Sequence, residues 1–247
     1  MYDLSILVEG FPGKSPTHGG LGWSTIALLQ NETQSIIIDG GAFGVRGVLQ
    51  AKLAEKGLSR HDITHVLLTH SHWDHAVNWT MFPNAEIILG RVDLEWALDE
   101  PPGGWHVAEL YIKELNQSKQ LRTVQHLDEV LPGITVHQVA GHTPGHVAYV
   151  LDETNRRVIF AGDAAKNKAE LLTQEVDMTL DAQLSAQSIQ YLWNLWEQRQ
   201  GCLMVPGHDL PMILEAGVPK YVTERHAVLT AWFGETLAEE TNFNLQK

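Results

Sequence analysis

Thr69-His70-Ser71-His72-Trp73-Asp74-His75 follows directly on the apolar run Ile63 to Leu68. Three histidines and one aspartate therefore fall within six residues at the end of a strand-like segment. Alternate residues of an extended segment share a face, so His70 and His72 point the same way. Asp74 and His75 come after the chain has begun to turn. One short loop can thus present two sets of side chains to two neighbouring ions. An isolated histidine is ordinarily a surface or core residue. Four ligand-type side chains this close together make a metal site, and imidazole with carboxylate suits zinc. Trp73, between them, is expected to pack beneath the loop.

Further polar anchors follow, each after an apolar run. Gly141-His142-Thr143-Pro144-Gly145-His146 comes after Ile134 to Val139. Its glycines permit the backbone angles of a tight turn. One of its histidines is expected to ligate and the other to hold the loop by hydrogen bonds. Asp163 ends the run Val158-Ile159-Phe160-Ala161-Gly162. Its two carboxylate oxygens can bridge two cations; alone, it would read as a helix N-cap. His208 follows Cys202 to Val205 and the turn Pro206-Gly207. Strand ends of this kind gather at one edge of a layered fold. The anchors suffice for two ions, which points to a binuclear metallohydrolase.

The bulk properties agree with an enzyme acting on a small molecule. A chain of 247 residues with 44% hydrophobic content can bury a substantial core. No linker divides it, so one domain over residues 1–247 is expected. A net charge of −13 lacks the basic face that a phosphate backbone requires, so no nucleic-acid partner is expected. The single cysteine, Cys202, rules out an internal disulfide framework and reads as a core residue. No secretion signal and no membrane-length apolar window stand out, so a cytoplasmic protein without a membrane partner is expected.

Short apolar runs predict strands at Ser5 to Val8, Thr25 to Gln30, Ser35 to Ile38, Ile63 to Leu68 and Ala85 to Leu89. Four more are predicted at Ile134 to Val139, Val147 to Leu151, Val158 to Phe160 and Cys202 to Val205. Helices are predicted at Val45 to Lys56, stopped by Gly57, and at Leu184 to Gln200, stopped by Gly201. The second carries a stripe of Leu184, Ser188, Tyr191, Leu192, Leu195 and Trp196. A closing helix is predicted over Tyr221 to Leu237. The order suggests two similar halves, packed sheet on sheet with helices outside. Gly10 to Trp23 is long, irregular and rich in Gly and Pro, which suits a rim beside a pocket. Its Gly13-Lys14-Ser15 is not a phosphate loop, because Val8 stands where that motif needs glycine. His18 and Trp23 are candidate substrate contacts. Trp79, Met81, Phe82, Trp96 and Trp105 are expected in the core; an acyl pocket or the face of a homodimer is the other assignment.

These residues carry a resemblance. Asp39 in Ile38-Asp39-Gly40-Gly41, then His70-Ser71-His72-Trp73-Asp74-His75, then His142, Asp163 and His208 resemble, in order, the motifs of the metallo-β-lactamase superfamily of hydrolases. The resemblance implies an α/β fold, a four-layer αββα sandwich with metals at the edge between the sheets. It implies one zinc held by His70, His72 and His142, a second by Asp74, His75 and His208, and Asp163 bridging them. Iron or manganese are alternatives to the two zinc ions. Asp39 would orient a ligand histidine, and His146 would be structural. Asp163 and the 39 residues after His208 separate the chain from the lactam-cleaving and glyoxalase II-type members. They resemble the lactonase branch, including enzymes that open acyl-homoserine lactones. Those lactonases usually place a tyrosine three residues after the bridging aspartate, against the substrate carbonyl. Lys166 stands there in this chain and can donate a hydrogen bond or bind a carboxylate. Hydrolysis of a carbonyl ester by a water activated between the metals is the implied chemistry, with Asp74, Asp163 and Lys166 as catalytic candidates. Thioesterase, phosphodiesterase and iron-dependent persulfide oxygenase activities share the scaffold.

Overall fold

The computed structural model describes residues 1–104 and 106–246. The first half runs β1 (Asp3–Val8), β2 (Lys14–Ser15), β3 (Gly19–Gly20), β4 (Ile26–Gln30), β5 (Ser35–Ile38), α1 (Arg46–Glu55), β6 (His65–Leu67), α2 (Trp73–Ala76), β7 (Glu86–Gly90), α3 (Arg91–Asp99), α4 (Glu109–Gln117) and β8 (Leu121–Val124). The second half runs β9 (Glu129–Leu131), β10 (Ile134–Gln138), β11 (Val147–Glu153), β12 (Arg156–Gly162), α5 (Lys168–Thr173), α6 (Ala182–Glu197), β13 (Leu203–Pro206), β14 (Met212–Glu215), β15 (Val218–Tyr221), β16 (Val228–Trp232) and β17 (Glu240–Asn244). Six strands form one sheet in the order β1-β4-β5-β6-β7-β8. Seven form the other, β15-β14-β13-β12-β11-β10-β9.

Side-chain parity builds four layers from these sheets. In β4 and β5, Ala27, Leu29, Ile36 and Ile38 face the second sheet and meet Val136, Tyr149, Val158, Phe160 and Val205 in one core. Their neighbours Leu28 and Ile37 face outward and pack with Leu49 and Leu53 of α1 and with Ile112 and Leu115 of α4. On the far side, Val150, Ile159 and Met204 pack against Leu171 of α5 and Ile189, Leu192 and Trp196 of α6. A strand buried on both faces reads as a continuous apolar run, as Ser35 to Ile38 does. The αββα sandwich expected from the sequence is thus present.

Three differences have physical causes. Tyr221 to Leu237 is no helix: Tyr221 ends β15, and Val228–Trp232 pairs with Glu240–Asn244 in a separate two-stranded ribbon. Its residues alternate at a period of two and include β-branched and aromatic side chains, which favour strand. Gly10 to Trp23 is not wholly irregular, because β2 pairs with β3 and Phe11 bridges Trp23. In α6 the buried stripe is Ser185, Ser188, Ile189, Leu192 and Trp196, with Leu184 exposed. Trp79, Met81 and Phe82 are core, and Trp96 packs against them. Trp105 lies outside the described residues. Cys202 is buried, which pushes its thiol up to about 12. No helix among the described residues is long and apolar enough to cross a membrane.

Candidate metal centre

The ligand-type residues leave the ends of β5, β6, β10, β12 and β13 at one edge of the sandwich. Asp39, just past β5, is the hub. Its backbone takes φ of 57°, a left-handed conformation that Asp and Asn tolerate better than other side chains. Its carboxylate is buried and accepts hydrogen bonds from Thr69 N–H at 2.8 Å and from Thr69 Oγ1. It also accepts from His75 Nδ1 at 2.8 Å. Thr69 Oγ1, having donated to Asp39, can accept from His70 Nδ1 at 3.1 Å. Two imidazoles are therefore fixed with their Nε2 atoms inward. His142 is fixed the same way, its Nδ1 donating to the Met178 carbonyl at 2.9 Å.

The inward atoms form two overlapping groups. His70, His72 and His142 offer nitrogens that all lie within 4.8 Å of one another, as do the donor atoms of Asp74, His75 and His208. Asp163 stands between them. Its Oδ1 is 3.2 Å from both His75 Nε2 and His208 Nε2, and its Oδ2 is 3.3 Å from His142 Nε2. His208 Nε2 is also 3.3 Å from Asp74 Oδ2. His70 Nε2 is buried with no hydrogen-bond partner, and so is Asp163 Oδ1. Buried polar atoms are rarely left so, and an ion bound between the groups would satisfy them. The donor set fits two divalent metals.

His146 serves the site without joining either group. Its Nε2 accepts from Asp163 N–H at 3.0 Å, and its ring stacks on His70. It thus holds the loop, as expected for one histidine of its turn. Gly162 has φ of 51°, and a Cβ there would lie 2.6 Å from Thr69 Oγ1 and 2.8 Å from His146 Cε1. Only glycine lets the strand end pass so close.

Charge divides the two groups. Burial lowers His70 and His142 and brings His72 to about 3, so these rings are neutral with lone pairs available. Burial also opposes charge on His75 and His208, but Asp163 and Asp74 carry both upward, helped at His75 by Asp39. In that group protons and a cation compete for the same nitrogens.

A cavity of about 510 Å³ opens over the groups. His18 and Lys14 line it from the rim, and Trp73 and His106 line it from the loop side. Trp73 is 39% exposed there and does not pack beneath its loop. Trp23 is not a pocket residue: its indole donates to the Glu9 carbonyl at 2.7 Å and its ring packs on Phe11. Lys166 lines the cavity, with Nζ 3.1 Å from Glu170 Oε1. Glu170 also accepts from Lys166 N–H at 2.8 Å and from Asp177 N–H at 3.2 Å.

Two supporting carboxylates escaped the sequence reading. Asp93 on α3 is fully buried and accepts from Ser71 N–H at 2.7 Å and from Thr143 Oγ1, tying the two histidine loops together. Burial raises it to about 6. Its spacing from Ala97 marks one buried helix face, but Arg91–Asp99 carries only a weak apolar period. Asp209 accepts from Lys168 N–H at 3.0 Å, from Tyr221 Oη at 2.9 Å and from Arg225, which steadies the backbone next to His208.

The profile of the metallo-beta-lactamase superfamily matches residues 19–210. An N-acyl homoserine lactonase of Bacillus thuringiensis is 26% identical over 172 residues, 69% of this chain and 66% of its own length. The match thus falls just short of two thirds of that relative. A putative metallo-beta-lactamase of Thermotoga maritima superposes with a TM-score of 0.70 at 25% identity, covering 86% of this chain and 99% of that one. The dizinc quorum-quenching lactonase AidC, solved with its product, shares the fold with a TM-score of 0.67 at 17% identity, covering 83% of this chain and 80% of its own. The strand-end histidines and aspartates, the four layers and a profile match across most of the sequence have one reading: this chain belongs to the metallo-beta-lactamase superfamily.

Proposed function

We propose that this chain is a binuclear zinc-dependent hydrolase of carbonyl esters, with lactones as its substrate class. The observation that carries this reading is Asp163, whose two oxygens address the two donor groups separately. His70, His72 and His142 would hold one ion, and Asp74, His75 and His208 the other. Zinc held by these residues would supply Lewis acidity toward the carbonyl and a water that ionises near neutral pH. The intact second group favours hydrolysis over single-iron oxygenase chemistry. The lactone class is supported by the similarity to the Bacillus lactonase.

The chain's own groups then have distinct tasks. Asp74 has a side chain 16% exposed, against 5% for Asp163, so it is the one that solvent and substrate reach. It takes the proton of the attacking water and returns it to the ring oxygen as the acyl–oxygen bond breaks. Lys166 lines the cavity together with His142 and Asp163. It donates a hydrogen bond to the carbonyl oxygen as negative charge builds there. Glu170 holds the Lys166 ammonium by ion pairing, so the donor is placed before substrate arrives.

The test is acid release by zinc-loaded protein, followed with a pH indicator. The substrates are acyl-homoserine lactones, simple γ-lactones, thioesters, a β-lactam and a phosphodiester. Turnover concentrated on lactones is expected. Silence on every lactone, with turnover of another class, would overturn the substrate reading and leave the metal centre standing.

A further inference from the structure

One guanidinium joins two chain segments beside the metal centre. Arg225 lies in the irregular stretch between β15 and β16. Its Nη1 donates to the Gly10 carbonyl at 2.7 Å, and its Nη2 donates to Asp209 Oδ1. The side chains of the ion pair are only 9% and 3% exposed. Burying two charges is costly unless they are paired and hydrogen-bonded in a fixed geometry. Arg225 meets that condition with one partner from each segment. Its guanidinium carbon also lies 5.7 Å from the centre of the Phe11 ring, within reach of a cation–π contact.

Both partners adjoin working residues. Gly10 and Phe11 form the root of the rim that brings Lys14 and His18 to the cavity. A Cβ on Gly10 would lie 2.7 Å from the Asp209 nitrogen and from the His208 carbonyl carbon, so the root rests on the ligand's own peptide. Beyond the root, β2 and β3 pair only with each other. The Lys14–Asp177 ion pair further along is more than half exposed, and such pairs contribute little. The placement of the rim therefore depends on its root. Asp209 follows His208 directly, and its Oδ2 accepts from Lys168 N–H at 3.0 Å. His208 N–H donates to the Lys166 carbonyl at 2.8 Å. Rim, ligand and the Lys166 turn thus meet at one ion pair. Gly10 and Arg225 fall on either side of the span that the superfamily profile matches, so the shared motifs do not include this tie.

We propose, on the binuclear reading above, that Arg225 is a positioning residue with two tasks. Through Asp209 it sets His208 for the second ion, and through Gly10 it sets the rim over the cavity. The double task needs a planar fork, whose separate nitrogens reach partners on different segments. A lysine would put one ammonium in its place. That ammonium keeps the charge pair with Asp209 and gives up the Gly10 carbonyl. The two tasks are therefore separable by substitution.

Arg225→Met and Arg225→Lys in the full chain make the test, and neither readout needs a substrate. Chelator competition on zinc-equilibrated protein reads the second ion. Its affinity should fall about 10–100-fold in Arg225→Met, with the first ion kept, and return to within about 3-fold of wild type in Arg225→Lys. Trypsin cleavage after Lys14 reads the rim. It should quicken about 10-fold in both variants, since neither holds Gly10. A residue of merely structural worth would lose both properties together, and lysine would restore both or neither; either pattern overturns the proposal. So does an Arg225→Met chain in which either property stays at its wild-type value. If Arg225→Met does not fold, Arg225→Lys decides alone, with metal kept and rim loosened as the expected split. A wild-type chain that holds a single ion contradicts the binuclear reading instead. Cleavage then judges Arg225 by itself: faster in the variants supports its hold on the rim, and an unchanged rate overturns it.

Discussion

Asp39 shows how one residue governs a site it does not enter. It takes three hydrogen bonds and through them sets His75 directly and His70 by way of Thr69. Asp39→Ala should lower zinc affinity by about 10–100-fold, measured by chelator competition. Asp39→Asn keeps the left-handed backbone and part of the hydrogen bonding, so its loss should be smaller. Under the proposed function, Lys166 acts at a different step. Lys166→Met should cut kcat by about 100-fold with zinc content unchanged, and Lys166→Tyr, the residue usual in related lactonases, should recover part of it. A third histidine lies far from the metals. Burial lowers His137 to about 4, and its Nδ1 lies 2.7 Å from Tyr191 Oη. Its folded pKa is below the unfolded value of about 6.5. The folded state therefore binds fewer protons than the unfolded state, and stability falls as pH drops from about 6.5 toward 4. Denaturant midpoints across that range should show the decline, and His137→Gln should lessen it.

At the scale of elements, what could be read in advance followed from how strongly each segment is buried. Ser35 to Ile38 is buried on both faces and shows as an uninterrupted apolar run, so its bounds agree residue for residue. The long helix α6 has a packed stripe and was legible; α3 and α4 are half-exposed and were not. The short helix α5 (Lys168–Thr173) escaped for the opposite reason, since its support is local. Asn167 caps it, its side chain accepting from Ala169 N–H and Glu170 N–H. Asn167→Ala should cost about 1 kcal/mol of stability by denaturant titration. The same change loosens Glu170, and with it Lys166, so kcat should fall as well. The ribbon at the C-terminus was mistaken for a helix because apolar residues in a short window fit either period. Only its register, Leu229 with Phe243, separates the two readings.

In the whole molecule, each half delivers its strand ends to the same edge, and the site exists only where the halves meet. His70, His72, Asp74 and His75 come from the first sheet's loops, and His142, Asp163 and His208 from the second's. The ligand set was readable because every member follows an apolar run, which marks a strand end without any knowledge of the fold. Asp93 and Asp209 were not readable, because they support loops through contacts that form only after folding. Metal bound by these groups would couple the two halves. Its removal should lower the melting temperature by several degrees, and restored zinc should reverse the loss. The most direct measurement is the metal content of the purified, zinc-equilibrated chain beside that of His208→Ala and Asp163→Asn. Two ions per chain are expected for the wild type, with one retained in His208→Ala and both weakened in Asp163→Asn. A wild-type chain that binds a single ion, or an Asp163→Asn variant that holds two as tightly, would contradict a centre bridged by Asp163.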